Sequence, residues 1–342
     1  MNGVPPESVL NQILVIHHAI IMNFLKRGSR PTLALSLAVL VAVGGCSTRP
    51  ANAAAKSSAA KKRILVVTTT TGFRHSSIET GERILATLAE QNGFILDYAR
   101  GGKLPGGPKK PAALKDGADD SQKEQYAADM KKFESDQAKY KDLEKGEQEK
   151  IRSVLAEKMS AAALKNYDAV IFSNTTGDLP LPDKEAFLNW IKSGKAFIGT
   201  HSATDTFRGH TPLDPYVEMI GGEFRTHGAQ ADVECLNQDP NHPACKNLGA
   251  TWALKDEIYL LNGFDRAKVH GLLNLDKEPN SKAPGDYPIA WCKKYGQGNV
   301  FYTSLGHRED VWESEKYQKH LLGGIRWALG LEKGDSTPQI TK

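Results

Sequence analysis

Between Lys62 and Leu331 the apolar and polar positions divide the chain into strand-length and helix-length segments. "KRILVVTTTTGF" is a basic lead, a β-rich apolar run and a glycine turn, the pattern of a buried strand. "SIETGERILATLAEQNGF" places Ile78, Ile84, Leu85 and Leu88 at helical spacing and stops at Asn92-Gly93, and "FILDYAR" reads as a second strand. After residue 150 the chain reads helix, strand Ala169 to Ser173, loop, helix Asp183 to Ser193 and strand Ala196 to Thr200, with polar turn residues behind each strand. This alternation predicts an α/β protein with a doubly wound, mostly parallel sheet that binds ligands beyond the carboxyl ends of its strands. "ADVECL", "DEIYLL" and "HGLLNL" read as further strands, and "PIAWCKKYGQGNVFYTSLGH" as a hairpin around Gly296-Gln297-Gly298. A closing helix carries Tyr317, Leu321, Ile325 and Leu329 four residues apart. No internal repeat is visible, so residues 61–332 read as one domain.

Two stretches depart from the pattern. From about Gly101 to Glu149 the chain is first loop-like and then densely charged, and the charged part carries Tyr126, Met130, Phe133 and Tyr140 at spacings of 4, 3 and 7. The expectation is a solvated insertion or lid, with an amphipathic surface helix as the other reading. Residues 1–60 belong to export. A basic patch (Lys26, Arg27, Arg30) precedes an apolar run from about Leu33 to Val43, too short for a comfortable membrane span. Met22 is the expected start of this signal, and an Ala/Ser/Lys-rich tether follows it. Val43-Gly44-Gly45-Cys46 resembles a bacterial lipobox, although Val43 stands where that pattern prefers leucine. The resemblance implies acylation of Cys46, a membrane lipid anchor and a place in the cell envelope or periplasm. Cleavage of a simple signal is the alternative. In such an oxidising compartment Cys235 and Cys245, which flank the Pro- and Asn-rich "LNQDPNHPA", are expected to form a local disulfide.

A net charge of +4, with 25% charged and 40% hydrophobic residues, is ordinary for a globular protein and calls for no nucleic-acid partner. No GxGxxG or Walker pattern stands in a strand-to-helix context, so no nucleotide cofactor is expected. The candidate chemistry lies in histidines at strand ends and glycine turns: His75 in "TTGFRHSS", His201 in "GTHSATD", His227 in "GGEFRTHG" and His307 in "TSLGHRED". Imidazole titrates near neutral pH and has a free ring nitrogen, so these positions suit acid/base work or metal ligation. Asp205, Glu257 and Glu309 are the carboxylates that would accompany them, and Asp205 follows His201 by one turn if a helix begins there. No compact metal signature such as HExxH occurs. Arg74, Arg208 and Arg225 lie close in sequence to these histidines, and Phe73, Phe207, Phe224 and Trp312 flank the same loops. Ser202 lacks the GxSxG context of a nucleophile elbow.

Together, "TTGFRHSSI", "YDAVIFSNTTGDL", "FIGTHSATDTF", "GGEFRTHG", "DEIY", "PIAWCKKYGQGNVFYTSLGH" and "GIRWALG" resemble the ThuA-like, or trehalose utilisation, family over about Lys62 to Leu331. The resemblance implies a flavodoxin-like three-layer sandwich similar to the class I glutamine amidotransferases. Those enzymes place a cysteine in the turn after a central strand and a His-x-Glu after a late one. Here His201 stands in the turn, while His307-Arg308-Glu309 keeps the late pattern, which argues against a thioester glutaminase. The resemblance further implies carbohydrate chemistry on disaccharide derivatives, with oxidised (3-keto) glycosides as the substrate class. On this reading His201, His307, Asp205 and Glu257 are expected to be catalytic. His75, Arg74, Arg225 and Phe207 would bind substrate, and His201 and His227 would hold a divalent metal. Two rival classes stay open: a non-catalytic sugar-binding envelope lipoprotein, and a structural envelope protein that uses the charged segment to bind a partner. The sequence leaves the oligomeric state open.

Overall fold

The structure is a computed structural model that describes residues 60–339. The export segment and Cys46 lie outside the described residues. In chain order the elements are β1 (Arg63–Val67), α1 (Ile78–Asn92), β2 (Ile95–Ala99), α2 (Asp120–Met159), α3 (Ala161–Leu164), β3 (Ala169–Ser173), α4 (Lys184–Lys192) and β4 (Ala196–Thr200). A 3₁₀ turn (His201–Asp205) leads to α5 (Pro215–Ile220), β5 (Glu223–His227), β6 (Ala231–Asn237), β7 (Thr251–Asp256) and β8 (Tyr259–Asn262). The chain closes with β9 (His270–Lys277), β10 (Pro284–Tyr295), β11 (Gly298–Thr303), α6 (Glu309–Glu313) and α7 (Glu315–Ala328).

The main sheet has the order β2-β1-β3-β4-β11-β10-β9-β6-β7. Its first five strands are mutually parallel and the remaining pairings are antiparallel. Helices cover both faces of the parallel half, so its strands are apolar on both sides. Ile64, Val66, Ile171 and Ile198 pack with Leu85 and Leu88 of α1, Trp312 of α6 and Leu321 and Ile325 of α7. Leu65, Val67, Val170, Phe172 and Phe197 meet the end of α2, Leu164 of α3, Phe187 and Ile191 of α4 and Val217 and Ile220 of α5. This is the expected three-layer α/β sandwich. Its antiparallel half extends the sheet, and β5 and β8 form a separate two-stranded ribbon.

The charged segment differs from the solvated insertion expected of it. Its second part is a single 40-residue helix, α2, started by a capping box in which Asp119 accepts from the Gln122 backbone and the Gln122 side chain accepts from the Asp119 backbone. Ion pairs Lys123–Asp120, Lys139–Asp136 and Lys150–Glu147 line its exposed length. Ile151, Leu155 and Met159, four residues apart, anchor its last turns in the core, so a boundary at Glu149 cuts through a continuous element. No helix of the described residues is long and apolar enough to cross a membrane.

The Cys235–Cys245 pairing is corrected: both thiols are free and buried. Cys235 faces Trp252 across the β6–β7 ladder, while the Cys245 thiol is directed at the Leu272 carbonyl, 3.6 Å away. Hydrogen bonds close the intervening turn without a crosslink. Asp239 accepts from the backbones of Asn241 and His242, and the Asn237 amide donates to the carbonyls of Cys245 and Gly249.

Candidate metal centre

The parallel strands deliver polar groups to one edge of the sheet. His75 follows β1, Asn174 follows β3, His201 follows β4 and His307 follows β11. Asn174 and His201 both take positive φ values, 52° and 43°. For residues with a Cβ these are uncommon backbone states that the surrounding structure must hold in place. The Asn174 amide donates to Gly306 O and Ser77 Oγ while its oxygen accepts from Thr200, joining its own turn to the loops after β1 and β11 and to the end of β4. The Tyr302 hydroxyl donates to the His201 carbonyl at 2.7 Å.

His201 Nδ1 lies 2.8 Å from the Ser304 carbonyl, which can only accept. Nδ1 therefore carries the proton and Nε2 presents a lone pair to the site. That Nε2 is 3.2 Å from His75 Nε2, 3.3 Å from His307 Nδ1 and 3.7 Å from Glu257 Oε1, and His307 Nδ1 is 3.2 Å from the same Glu257 oxygen. His75 Nδ1 faces Ser202 Oγ at 3.3 Å, a partner that can accept a hydrogen bond from an Nδ1–H and leave the Nε2 lone pair free. Among the described residues, His75, His201, Glu257 and His307 offer ligand atoms that all lie within 4.8 Å of one another.

The spacing tests whether an ion fits. Donors bound at about 2.0–2.1 Å to a tetrahedral centre stand roughly 3.3–3.4 Å apart. Four of the six separations, 3.2, 3.3, 3.2 and 3.7 Å, lie around that value, and all six are within 4.8 Å. Three imidazoles and one carboxylate form a donor set for zinc or another first-row divalent ion. Burial, reinforced by the neighbouring His307, pushes the His75 pKa down to about 4, and burial holds His201 well below the ordinary imidazole value. Both rings are thus neutral, the form that ligates metal. Burial also opposes charge on His307, but its hydrogen bond and charge interaction with Glu257 outweigh this and raise its pKa.

Behind these donors lies Asp256, a residue the sequence reading did not single out. It accepts backbone hydrogens from Gly306 (2.7 Å), Glu257 (3.0 Å) and Arg308 (3.3 Å), which fixes both the carboxylate and the loop bearing His307. Burial pushes its pKa up to about 6 against those hydrogen bonds. Its signal in the sequence was the pair Asp256-Glu257 at the entry to a strand. Tyr259 was also missed, and its ring packs 4.3 Å from that of His201.

The other expected site residues are spread more widely. His227, on β5, is outside the four, but its Nδ1 lies 3.1 Å from Glu257 Oε2 and 2.8 Å from the Gly228 carbonyl. Asp205 pairs with Arg208 and is absent from the group. The turn after His201 is 3₁₀, with about three residues per turn, so the fourth position rotates away from the histidine's face. Phe207 is buried against Tyr216 and under Lys184, as a core residue. Arg74 donates to the carbonyls of Thr68 and Gly101 and pairs with Glu79, bracing the loop. Arg225 lines a separate cavity with Phe264, Asp286 and Tyr287. Glu309 turns to Ser76. Phe73 is the exposed aromatic at the centre, 67% accessible and edge-on to His75 at 4.9 Å.

The fold and site define a flavodoxin-like α/β protein that carries a histidine-rich centre at the carboxyl edge of its parallel strands. The chain belongs to the ThuA family, described as trehalose utilisation, whose model matches residues 120–328. Its fold is similar to a solved ThuA-like protein from Parabacteroides merdae, at 16% identity and TM-score 0.55, over 82% of this chain and 94% of that one. It is also similar to one from Bacteroides uniformis, at 18% identity and TM-score 0.51, over 78% of this chain and 91% of that one. A comparison with curated proteins finds no match.

Proposed function

We propose that this protein is an enzyme acting on an oxidised (3-keto) glycoside or related disaccharide derivative, at a divalent metal held by His75, His201, His307 and Glu257. The observation that carries this reading is the convergence of four ligand atoms within 4.8 Å at the edge where this fold binds ligands. Bound there, the ion supplies positive charge to the substrate's carbonyl oxygen as electron density builds on it.

His227 supplies the base. Its Nδ1–H is directed at the Gly228 carbonyl, with Glu257 Oε2 3.1 Å from the same nitrogen, so Nε2 is left with a lone pair on a side chain 42% exposed. Nε2 takes the proton from the carbon beside the keto group, and the C–H electron pair moves toward the carbonyl oxygen. As the carbonyl re-forms, a C=C bond develops and the glycosidic C–O bond at the next carbon breaks. The departing oxygen receives the proton from the His227 imidazolium, giving an unsaturated keto sugar and a free alcohol. Glu257 orients the base with one oxygen and faces the metal site with the other. The same reading places the protein in the cell envelope through Cys46.

The test is exchange of the carbon-bound hydrogen of a 3-keto glycoside in deuterated water, followed by NMR. Wild-type protein is expected to catalyse exchange and release of the alcohol, and His227→Ala to lose both by about 10²–10⁴-fold while keeping its metal. Tight sugar binding without exchange in the wild type would replace this reading with a non-catalytic binder.

A further inference from the structure

We propose that the cavity between α2 and the loops after β1, β2 and β3 is a second subsite, for one neutral, hydroxyl-rich sugar ring. The proposal rests on the carbohydrate reading of the histidine centre and names the part of the substrate that the centre does not hold. The cavity has a volume of about 330 Å³, at the small end of ligand pockets. Gly72, on its wall, precedes His75 by three residues. Between them stands the exposed ring of Phe73, whose carbonyl is fixed by the Thr176 hydroxyl at 2.8 Å. A two-ring substrate can therefore place its reacting ring at the histidines and its other ring beyond Phe73.

The lining chooses the ligand class. The lining carries three carboxylates, Glu144, Glu147 and Asp178, and one cation, Arg152, while Lys150 and His210 pair with Glu147 and Asp178 from outside it; this near-balance offers no net positive charge to a phosphate or carboxylate. Carboxylates, a guanidinium and the Gln148 amide together accept from and donate to the hydroxyls of a neutral ring. Glu144, Gln148 and Arg152 stand four residues apart along one side of α2. Their support is firm, because Glu147 accepts from the Gly102 backbone at 2.8 Å and Ile151 is buried in the core one turn on. The charged segment thus supplies one wall of a pocket beside the reactive centre.

Calorimetric titrations with trehalose, maltose, cellobiose and glucose test the proposal on wild-type protein and on the double variant Gln148→Ala/Arg152→Ala, whose positions are exposed on the helix. Wild-type protein is expected to bind at least one disaccharide about tenfold or more tightly than glucose, and the double variant to lose that preference with its metal content unchanged. The proposal is overturned if no disaccharide binds, if the wild type shows no preference over glucose, or if the variant keeps it. Failure of the histidine-centre reading is a different result: no metal and no hydrogen exchange in the wild type, with the disaccharide preference intact.

Discussion

Two separate histidine clusters occur in this molecule, and only one is arranged for chemistry. His242, His270 and His320 gather where the antiparallel half of the sheet meets the C-terminal segment. There the ring nitrogens are largely committed to structure. His270 faces the Thr337 carbonyl and Asp239, His242 Nδ1 accepts from the Ala244 backbone, and His320 Nδ1 meets the Ala244 carbonyl. At the other cluster the backbone occupies only one nitrogen of His201, and the remaining donor atoms face one another. Number, burial and nearby carboxylates are similar in the two regions. The difference is that strand-end turns, one of them at positive φ, aim lone pairs at a common point.

The largest expected contrast comes from paired variants. His201→Ala removes a proposed ligand and is expected to lower activity about a thousandfold and empty the metal site. His242→Ala opens space against Trp327 and deprives the Ala244 N–H of its acceptor. It is expected to lower stability by about 2–3 kcal/mol in denaturant titration and to leave metal content unchanged. Equal effects of the two variants on both measurements would erase the distinction.

Acid acts on buried imidazoles in both clusters, and His320 isolates the structural share. Burial holds the pKa values of His242 and His320 at about 4, against an ordinary value near 6.5. Above about pH 6.5 both are neutral folded or unfolded, and their contribution to stability is fully present. Between there and pH 4 the unfolded chain takes up protons the folded one refuses, so stability falls by up to about 1.4 kcal/mol per pH unit for each ring. Below pH 4 their contribution to the slope fades. Replacing His320 with glutamine should remove its share of the slope, as read from urea midpoints across this range.

A smaller effect is expected behind the metal centre. Asp256→Asn turns an NH₂ group toward backbone N–H donors that the carboxylate now accepts, loosening Glu257 and the His307 loop. Metal affinity should drop about 10–100-fold in competition with a chelator, with the overall fold retained. An unchanged affinity would mean that Asp256 does not position the ligands.

Much of this was legible in residue patterns, because buried parallel strands are uniformly apolar and end in polar turns. β1, β3, β4, the β10–β11 hairpin and α7 follow from that rule, as does the placement of His75, His201 and His307 at strand ends. What periodicity could not supply was three-dimensional aim. The 3₁₀ turn carried Asp205 off the histidine's face, and Phe207, at φ 56°, turned into the core. Asn174 and Asp256 were overlooked because they act on backbone groups that meet only in the folded chain. The long charged helix was obscured by its weak amphipathicity, since it needs no apolar stripe until its last turns enter the core. The free cysteines teach the same lesson: two thiols flanking a turn show proximity in sequence, not the direction of their side chains.

The most direct measurement is the metal content of wild-type protein, His201→Ala and His227→Ala, by mass spectrometry of the purified proteins. The account predicts close to one divalent ion per chain in the wild type and in His227→Ala, and almost none in His201→Ala. A folded wild-type protein that stays metal-free when zinc, manganese or iron(II) is supplied would contradict it.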